Sequence, residues 1–325
     1  MRLFYDLRIR QSPMRHRPAI LVMFLAVAAA TAAAAALGTN TRSAIPAEVQ
    51  QIIVVDYRAL NDSPSGQALK ARLTSPRLRQ FETALLKAGI VPEKEVEQLA
   101  FASFRSKQQG LQMVGVAQGS FTRAALVPRL RKKGIRPQKD RLALLYPMQG
   151  GMVMTFLDDS SLLFGEPAAV RLALEARQGE IESLNSNAQV SDLMSGVEEG
   201  AIWSVLDGDG TRNMVRSALG ESSQLTNAET LMKRLVGSRY TADLSRGCDF
   251  KLDVITSDSF TAATLSSLFQ AGMMVKKVNA TGAEKMALED LTVEADGDQL
   301  KLHFQTDEKR FQALLQSPLF AAVSK

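Results

Sequence analysis

The chain has 325 residues, with 39 Lys and Arg against 34 Asp and Glu, two histidines and one cysteine. One cysteine excludes an intrachain disulfide, and Cys248 with His303 supplies too few donors for a histidine-rich zinc site. Most of the formal net charge of +5 belongs to the N-terminus, since 34 basic residues face 33 acidic ones after Gly38.

Residues 1–18 contain Arg2, Arg8, Arg10, Arg15 and Arg17, and residues 19–38 form a charge-free apolar run whose only polar member is Thr31. Twenty residues match the ~20 that carry a helix across a ~30 Å hydrocarbon core. Basic then apolar is the order that directs a chain across a membrane with its N-terminus in the cytoplasm. Residues 1–18 therefore read as a cytoplasmic n-region. Residues 19–38 read as a transmembrane anchor in the inner membrane, with the body in the periplasm or outside the cell. The alternative is a signal-peptide h-region, cleaved near Ala34–Gly38 to release a secreted protein. An 18-residue n-region is long for a secretory signal and favours the anchor. No cysteine lies near the end of the run, which excludes a lipid-modified N-terminus.

Residues 39–48 read as a linker. A buried strand is expected at 49–57, centred on Ile52-Ile53-Val54-Val55. Pro64 and Pro76 open helices at 64–73 and 76–88, the second ended by Gly89. Strands at 96–104 and 111–118 turn at Gly110, and a helix covers 121–133. Strands follow at 142–146, 152–157 and 161–164, then a helix from Pro167 to Gly179. The later part gives a strand at 202–206, helices at 212–219 and 228–236, and strands at 240–244 and 250–255. A helix at 260–275, a hairpin of 291–294 with 300–304 turned at Asp296-Gly297, and a helix at 307–315 complete the chain.

The order of elements recurs, and Ser120-Phe121-Thr122-Arg123-Ala124-Ala125-Leu126 matches Ser259-Phe260-Thr261-Ala262-Ala263-Thr264-Leu265 at five of seven positions. Two tandem repeats follow, 49–184 and 201–325, joined by 185–200. The expected class is α+β: each unit is strand–helix–strand–strand–helix–strand, with a mostly antiparallel sheet, helices on one face, and a serine or threonine capping the helix in the matched segments. A cleft between the repeats is the default ligand site.

No G-x-G-x-x-G, G-x-x-x-x-G-K-[ST] or G-x-S-x-G motif occurs. Asp207-Gly208-Asp209-Gly210 fails as a calcium loop, because Arg212 and Ala218 stand where glycine and glutamate are needed. Asp209 or Thr211 is expected to cap a helix there. Alternation along residues 300–305 puts His303 on the polar face, Cys248 reads as a free buried thiol, and Trp203 reads as core. No catalytic, cofactor or metal residue is assigned. Charge is divided, with a net of +10 over 39–150 and −9 over 151–325. Its strongest concentration is Arg129, Arg131, Lys132, Lys133, Arg136, Lys139 and Arg141, at a helix C-terminus where cations suit the dipole. Near an anionic surface each contributes up to ~1 kcal/mol; otherwise the cluster is a solvated helix end.

The stretch Val54-Val55-Asp56-Tyr57-Arg58-Ala59-Leu60, with Ser63-Pro64 and Gly66-Gln67, resembles the opening of a family of uncharacterised exported or membrane-anchored bacterial proteins. Gly89-Ile90-Val91-Pro92, Val96 through Ala102, and Gly119-Ser120-Phe121 are similar to its continuing pattern. The likeness covers 45–184 by residues and the remainder by topology. It implies an exported, non-enzymatic α+β protein and brings no site residue or activity. The expected function is a membrane-tethered extracytoplasmic binding or scaffold module, held in the membrane by 19–38 and meeting an envelope protein partner, with no cofactor and no nucleic acid; its small-molecule ligand is left open. The alternative is a carboxylate-dependent hydrolase or other enzyme in the cleft between the repeats.

Overall fold

The computed structural model describes residues 36–73, 76–197, 200–219, 228–280 and 282–317. The arginine-rich n-region and most of the apolar run lie outside them. Among the described residues no helix is long and apolar enough to cross a membrane.

Helix α1 (Thr39–Ser43) occupies the expected linker, and Ala44 and Ile45 after it are buried. Strand β1 (Val49–Asp56) leads into α2 (Tyr57–Asp62), where the Asp56 carboxylate accepts from the Ala59 amide at 2.8 Å. Then come α3 (Pro64–Leu73), α4 (Pro76–Ala88), α5 (Pro92–Glu95), β2 (Val96–Ser106), β3 (Gly110–Gly119), α6 (Arg123–Lys132), β4 (Gln138–Lys139), β5 (Leu144–Pro147), β6 (Val153–Phe156), β7 (Ser161–Gly165), α7 (Pro167–Gln178) and α8 (Ala188–Ser195). The later part comprises β8 (Ile202–Asp207), α9 (Gly208–Leu219), α10 (Ala228–Lys233), β9 (Leu235–Asp243), β10 (Cys248–Thr256), α11 (Ser259–Asn279), α12 (Ala283–Glu289), β11 (Leu291–Asp296), β12 (Gln299–Thr306) and α13 (Glu308–Leu315). Helix starts at Pro64, Pro76 and Pro167 follow from proline's fixed φ and missing donor, and Gly179 ends α7 at φ 78°.

The strands form one antiparallel sheet of twelve among the described residues, ordered β11-β12-β10-β9-β8-β1-β2-β3-β7-β6-β5-β4. Its centre is the β1–β8 pair, with Val54 opposite Trp203 on one side and Ala100 of β2 on the other. Outward from that seam run β1, β2, β3, β7, β6, β5, β4 in one direction and β8, β9, β10, β12, β11 in the other.

Helices cover both faces, not one. Ala100, Ala102 and Phe104 join Ala169, Val170 and Leu174 of α7 and Leu193 of α8 in one core. Leu99, with Phe101 packed alongside, joins Leu85 of α4 and Leu126 and Leu130 of α6 in another. Strand β2 is apolar on both sides because both sides are buried. Leu37, within the predicted membrane run, also lies in the first core at 4% exposure.

The matched segments are capped differently. Thr122 accepts from the Ala125 amide at 3.2 Å, so α6 starts after it. Asp258, ahead of the matched serine, accepts from Thr261 at 2.8 Å and starts α11 earlier. In the Asp-Gly-Asp-Gly turn the cap is Asp207, which accepts from Gly210 at 2.7 Å and opens α9 four residues before the expected start at Arg212.

Candidate functional site

The basic cluster divides into spent and unspent cations. Arg129 pairs with Glu95 at 2.6 Å and donates to the Gly89 carbonyl at 3.2 Å, fastening α6 to the α4–α5 turn. Arg141 reaches Glu180 at 2.9 Å and Glu175 at 3.4 Å, and the Glu180 carboxylate raises its pKa. Lys133 caps α6 and donates weakly to the Leu86 carbonyl at 3.5 Å. Arg131, Lys132, Arg136 and Lys139 are exposed or half-exposed and make no ion pair among the described residues. Arg131 and Lys132 end α6, Arg136 follows in the connection, and Lys139 lies on β4, the short outer strand of the sheet. Beside them lies an open hollow of about 450 Å³, lined by Ala84, Lys87, Lys133, Ile135, Pro147 and Met148 among others. It is an apolar floor with two lysines in its lining.

A second hollow, of about 240 Å³, lies where the two halves of the sheet meet. Asp62 and Ser63 from the end of α2, Ala201 and Ile202 at the start of β8, and Asp243 at the end of β9 with Ser245 after it line it. Its polar groups are partly engaged: Ser63 Oγ accepts from the Gly66 amide at 2.8 Å, and Asp243 accepts from the Ser245 amide at 2.8 Å.

Other titratable groups serve the fold. Desolvation raises the Asp207 pKa, whereas Arg212 and then Arg105 hold the Asp209 carboxyl below its ordinary value. Asp209 thereby ties β2 to α9. The Asp158–Asp159 turn is closed by Asp158 accepting from the Ser160 amide at 2.9 Å, with Asn40 donating to it at 2.8 Å. Among the described residues no three His, Cys, Asp or Glu side chains converge as metal ligands. His303 is half-exposed and meets Asp249 of the neighbouring strand at 2.9 Å, an ordered partner that alternation alone does not reveal. Cys248 is a free buried thiol, its pKa pushed up to about 12 by burial. Trp203 is fully buried.

The sequence reading missed one cluster. Tyr57 Oη donates to Glu82 and accepts from Lys70 Nζ, which sits 4.5 Å from the ring centre. Lys70 also meets Glu82 at 3.0 Å and Glu93 at 3.6 Å. Burial, then the Glu82 hydrogen bond, raises the Tyr57 pKa, so the phenol remains a donor. Lys70 and Glu82 lie 13 and 25 residues beyond Tyr57 in sequence, and no periodicity links them. They latch α3 and α4 to the start of α2.

Among the described residues the architecture is mixed helix and antiparallel sheet, built on one open sheet of twelve strands. Crystal form I of TP0453 is similar to it, with a TM-score of 0.50 at 10% identity over 88% of this chain and 97% of that one, a likeness of fold. No family model and no curated protein sequence matches the chain.

Proposed function

We propose that this chain is a membrane-tethered extracytoplasmic protein acting as a non-catalytic binding or scaffold module. Its contact is the basic corner at the outer end of the sheet, and its partner is an envelope protein with an anionic surface. The observation that carries this reading is the division of the cluster. Arg129 and Arg141 are held by internal carboxylates, while Arg131, Lys132, Arg136 and Lys139 face outward together beside an apolar hollow. Four unspent cations on one corner attract anionic partners over roughly a Debye length, ~8 Å at physiological salt.

The tether rests on the five arginines and the run 19–38. The burial of Leu37 bears on its boundary: cleavage after Gly38 strips a core side chain, whereas cleavage after Ala34 keeps Leu37. The two-repeat reading is supported by the matched segments and by the strand order outward from β1 and β8, alike over the first five strands, after which β5 and β4 extend one side only.

Crosslinking in intact cells, affinity purification and mass spectrometry test the proposal. A partner recovered with the native chain and lost with R131Q/K132Q/R136Q/K139Q supports it; equal recovery with that variant overturns the basic corner. One observation favours the enzyme reading: Asp62 and Asp243 share the hollow at the β1–β8 seam. A hydrolytic activity that disappears in both Asp62→Asn and Asp243→Asn would replace the scaffold reading.

A further inference from the structure

The hollow beside the basic corner has a floor and a rim of different chemistry. Ala84 and Ala88 of α4, each 2% exposed, form the floor with half-buried Ile135 and Met148. Exposed Lys87 and Lys133 stand at the rim, and no carboxylate belongs to the lining. The surrounding sequence has none to spare. Between Asp62 and Asp158 the chain carries only Glu82, Glu93, Glu95, Glu97 and Asp140 as acids. Each is taken: Glu82 and Glu93 by Lys70, Glu95 by Arg129, Glu97 by Arg58, and Asp140 by Arg171. Lys87 and Lys133 make no ion pair among the described residues, and Lys133 donates only weakly, to the Leu86 carbonyl at 3.5 Å.

We propose that the hollow receives an apolar side chain from an acidic segment of the partner protein, whose neighbouring carboxylates meet Lys87 and Lys133. The inference rests on the basic corner being a contact surface, and it names what that surface recognises. Charge sets the sign of the occupant. With every local carboxylate spent, only an anion from outside neutralises this corner. Shape asks for an apolar anchor, because the two alanines lie buried at the bottom while the lysines stand exposed above them. A volume of about 450 Å³ has room for a Leu or Phe side chain and the backbone that carries it. Lysine stems cover apolar surface while their ammonium groups stay in water, so carboxylates beside the anchor meet them outside the floor. A single small anion would answer the rim alone. The cations continue from Lys133 to Arg136 and Lys139 along the connection into β4, and an extended acidic segment supplies charges for these as well.

Fluorescence anisotropy on the full chain tests this with a labelled peptide, Asp-Glu-Phe-Leu-Asp-Glu, and a second with Ser-Gly in place of Phe-Leu. The Phe-Leu peptide is expected to bind roughly tenfold tighter or more, the usual effect of a seated anchor. K87Q/K133Q should weaken it by about tenfold, through the loss of two close charges. Met148→Gln keeps every charge but makes the floor polar, and should bring the Phe-Leu peptide down to the level of the Ser-Gly one. Unfolding midpoints are measured alongside, and the exposed lysines of K87Q/K133Q keep the result readable if M148Q folds poorly. Equal affinity for the two peptides, binding of neither, or indifference to K87Q/K133Q would overturn the proposal. Equal affinities that R131Q/K132Q/R136Q/K139Q abolishes would remove the hollow and leave the basic corner standing. Phe-Leu binding that K87Q/K133Q abolishes and the quadruple variant leaves untouched would keep the hollow and remove the wider corner. Decanoate bound where neither peptide binds, and lost in M148Q, would overturn the peptide in favour of an anionic lipid.

Discussion

Tyr57 is 1% exposed, yet its hydroxyl bonds two ionic groups, Glu82 and Lys70. Replacing it with Phe removes the hydroxyl from a largely buried Lys70–Glu82 pair and leaves both charges one polar partner fewer. We expect Tyr57→Phe to lower stability by about 1–3 kcal/mol in urea unfolding. The folded-state pKa is raised above the ordinary 10.0, so the stabilisation is present below pH 10 and lost as pH climbs beyond it. The gap between native chain and variant should therefore narrow above pH 10; a gap unchanged there would show that the ionisation of the phenol is not linked to folding. Cys248 follows the same direction, raised from 9.0 to about 12, so its thiolate is scarce at pH 8. Labelling of the folded protein by a thiol reagent should be ~100- to 1,000-fold slower than in denaturant. Comparable rates would mean the site opens readily. The buried thiol is legible from a lone cysteine at the start of an alternating strand. The Tyr57 latch is not, since its members meet only after three helices have folded.

At the scale of elements, Gly115 in β3 and Asp258 before α11 show how one position controls a whole segment. A Cβ on Gly115 would overlap the Phe164 ring, which is 4% exposed and sits edge-on to Phe101. Gly115→Ala must displace that ring within a closed core, and a loss of about 1–3 kcal/mol is expected on calorimetry or denaturant unfolding. Neutral behaviour would show the aromatic pair to be plastic. Asp258 is held down to about pKa 2, chiefly by the Thr261 amide. A depressed folded pKa stabilises above the ordinary 3.8 and fades as pH falls toward 2. Asp258→Ala should therefore cost stability at neutral pH, and its deficit should shrink between pH 4 and 2; a constant deficit would exclude the carboxylate as its source. Proline-led helices α3, α4 and α7 are readable to the residue, because proline fixes the first turn locally. Helix α9 begins four residues earlier than expected because its cap is Asp207, and the two glycines behind it read as a turn. Nothing in the sequence marks the outward face of α11 as exposed: a nearly charge-free helix suggests burial, and only the sheet order puts it at the rim.

For the whole molecule, the decisive feature is the β1–β8 seam, where Trp203 pairs with Val54 and is fully buried. Alternation and β-rich runs make the strands legible. The single continuous sheet is not, because joining the halves depends on which long-range edges meet. Likewise the basic cluster is visible as residues, but the carboxylates that neutralise Arg129 and Arg141 come from distant parts of the chain. The seam makes a prediction about cooperativity. Strands from both halves hydrogen-bond across it, and one core gathers Ile52 and Ala100 from one side with Trp203 and Val205 from the other. One core is confined to each half, but the core around Ile52 and Trp203 closes only across the seam, so the folded body should unfold as one unit. Trp203 is the sole tryptophan, so its fluorescence reports the seam while far-UV circular dichroism reports all helices and strands. The two transitions should coincide in urea, and Trp203→Ala should lower the common midpoint with a loss of about 3–5 kcal/mol. Were fluorescence to change first, the halves would separate before they unfold, and each would hold a core the seam does not need.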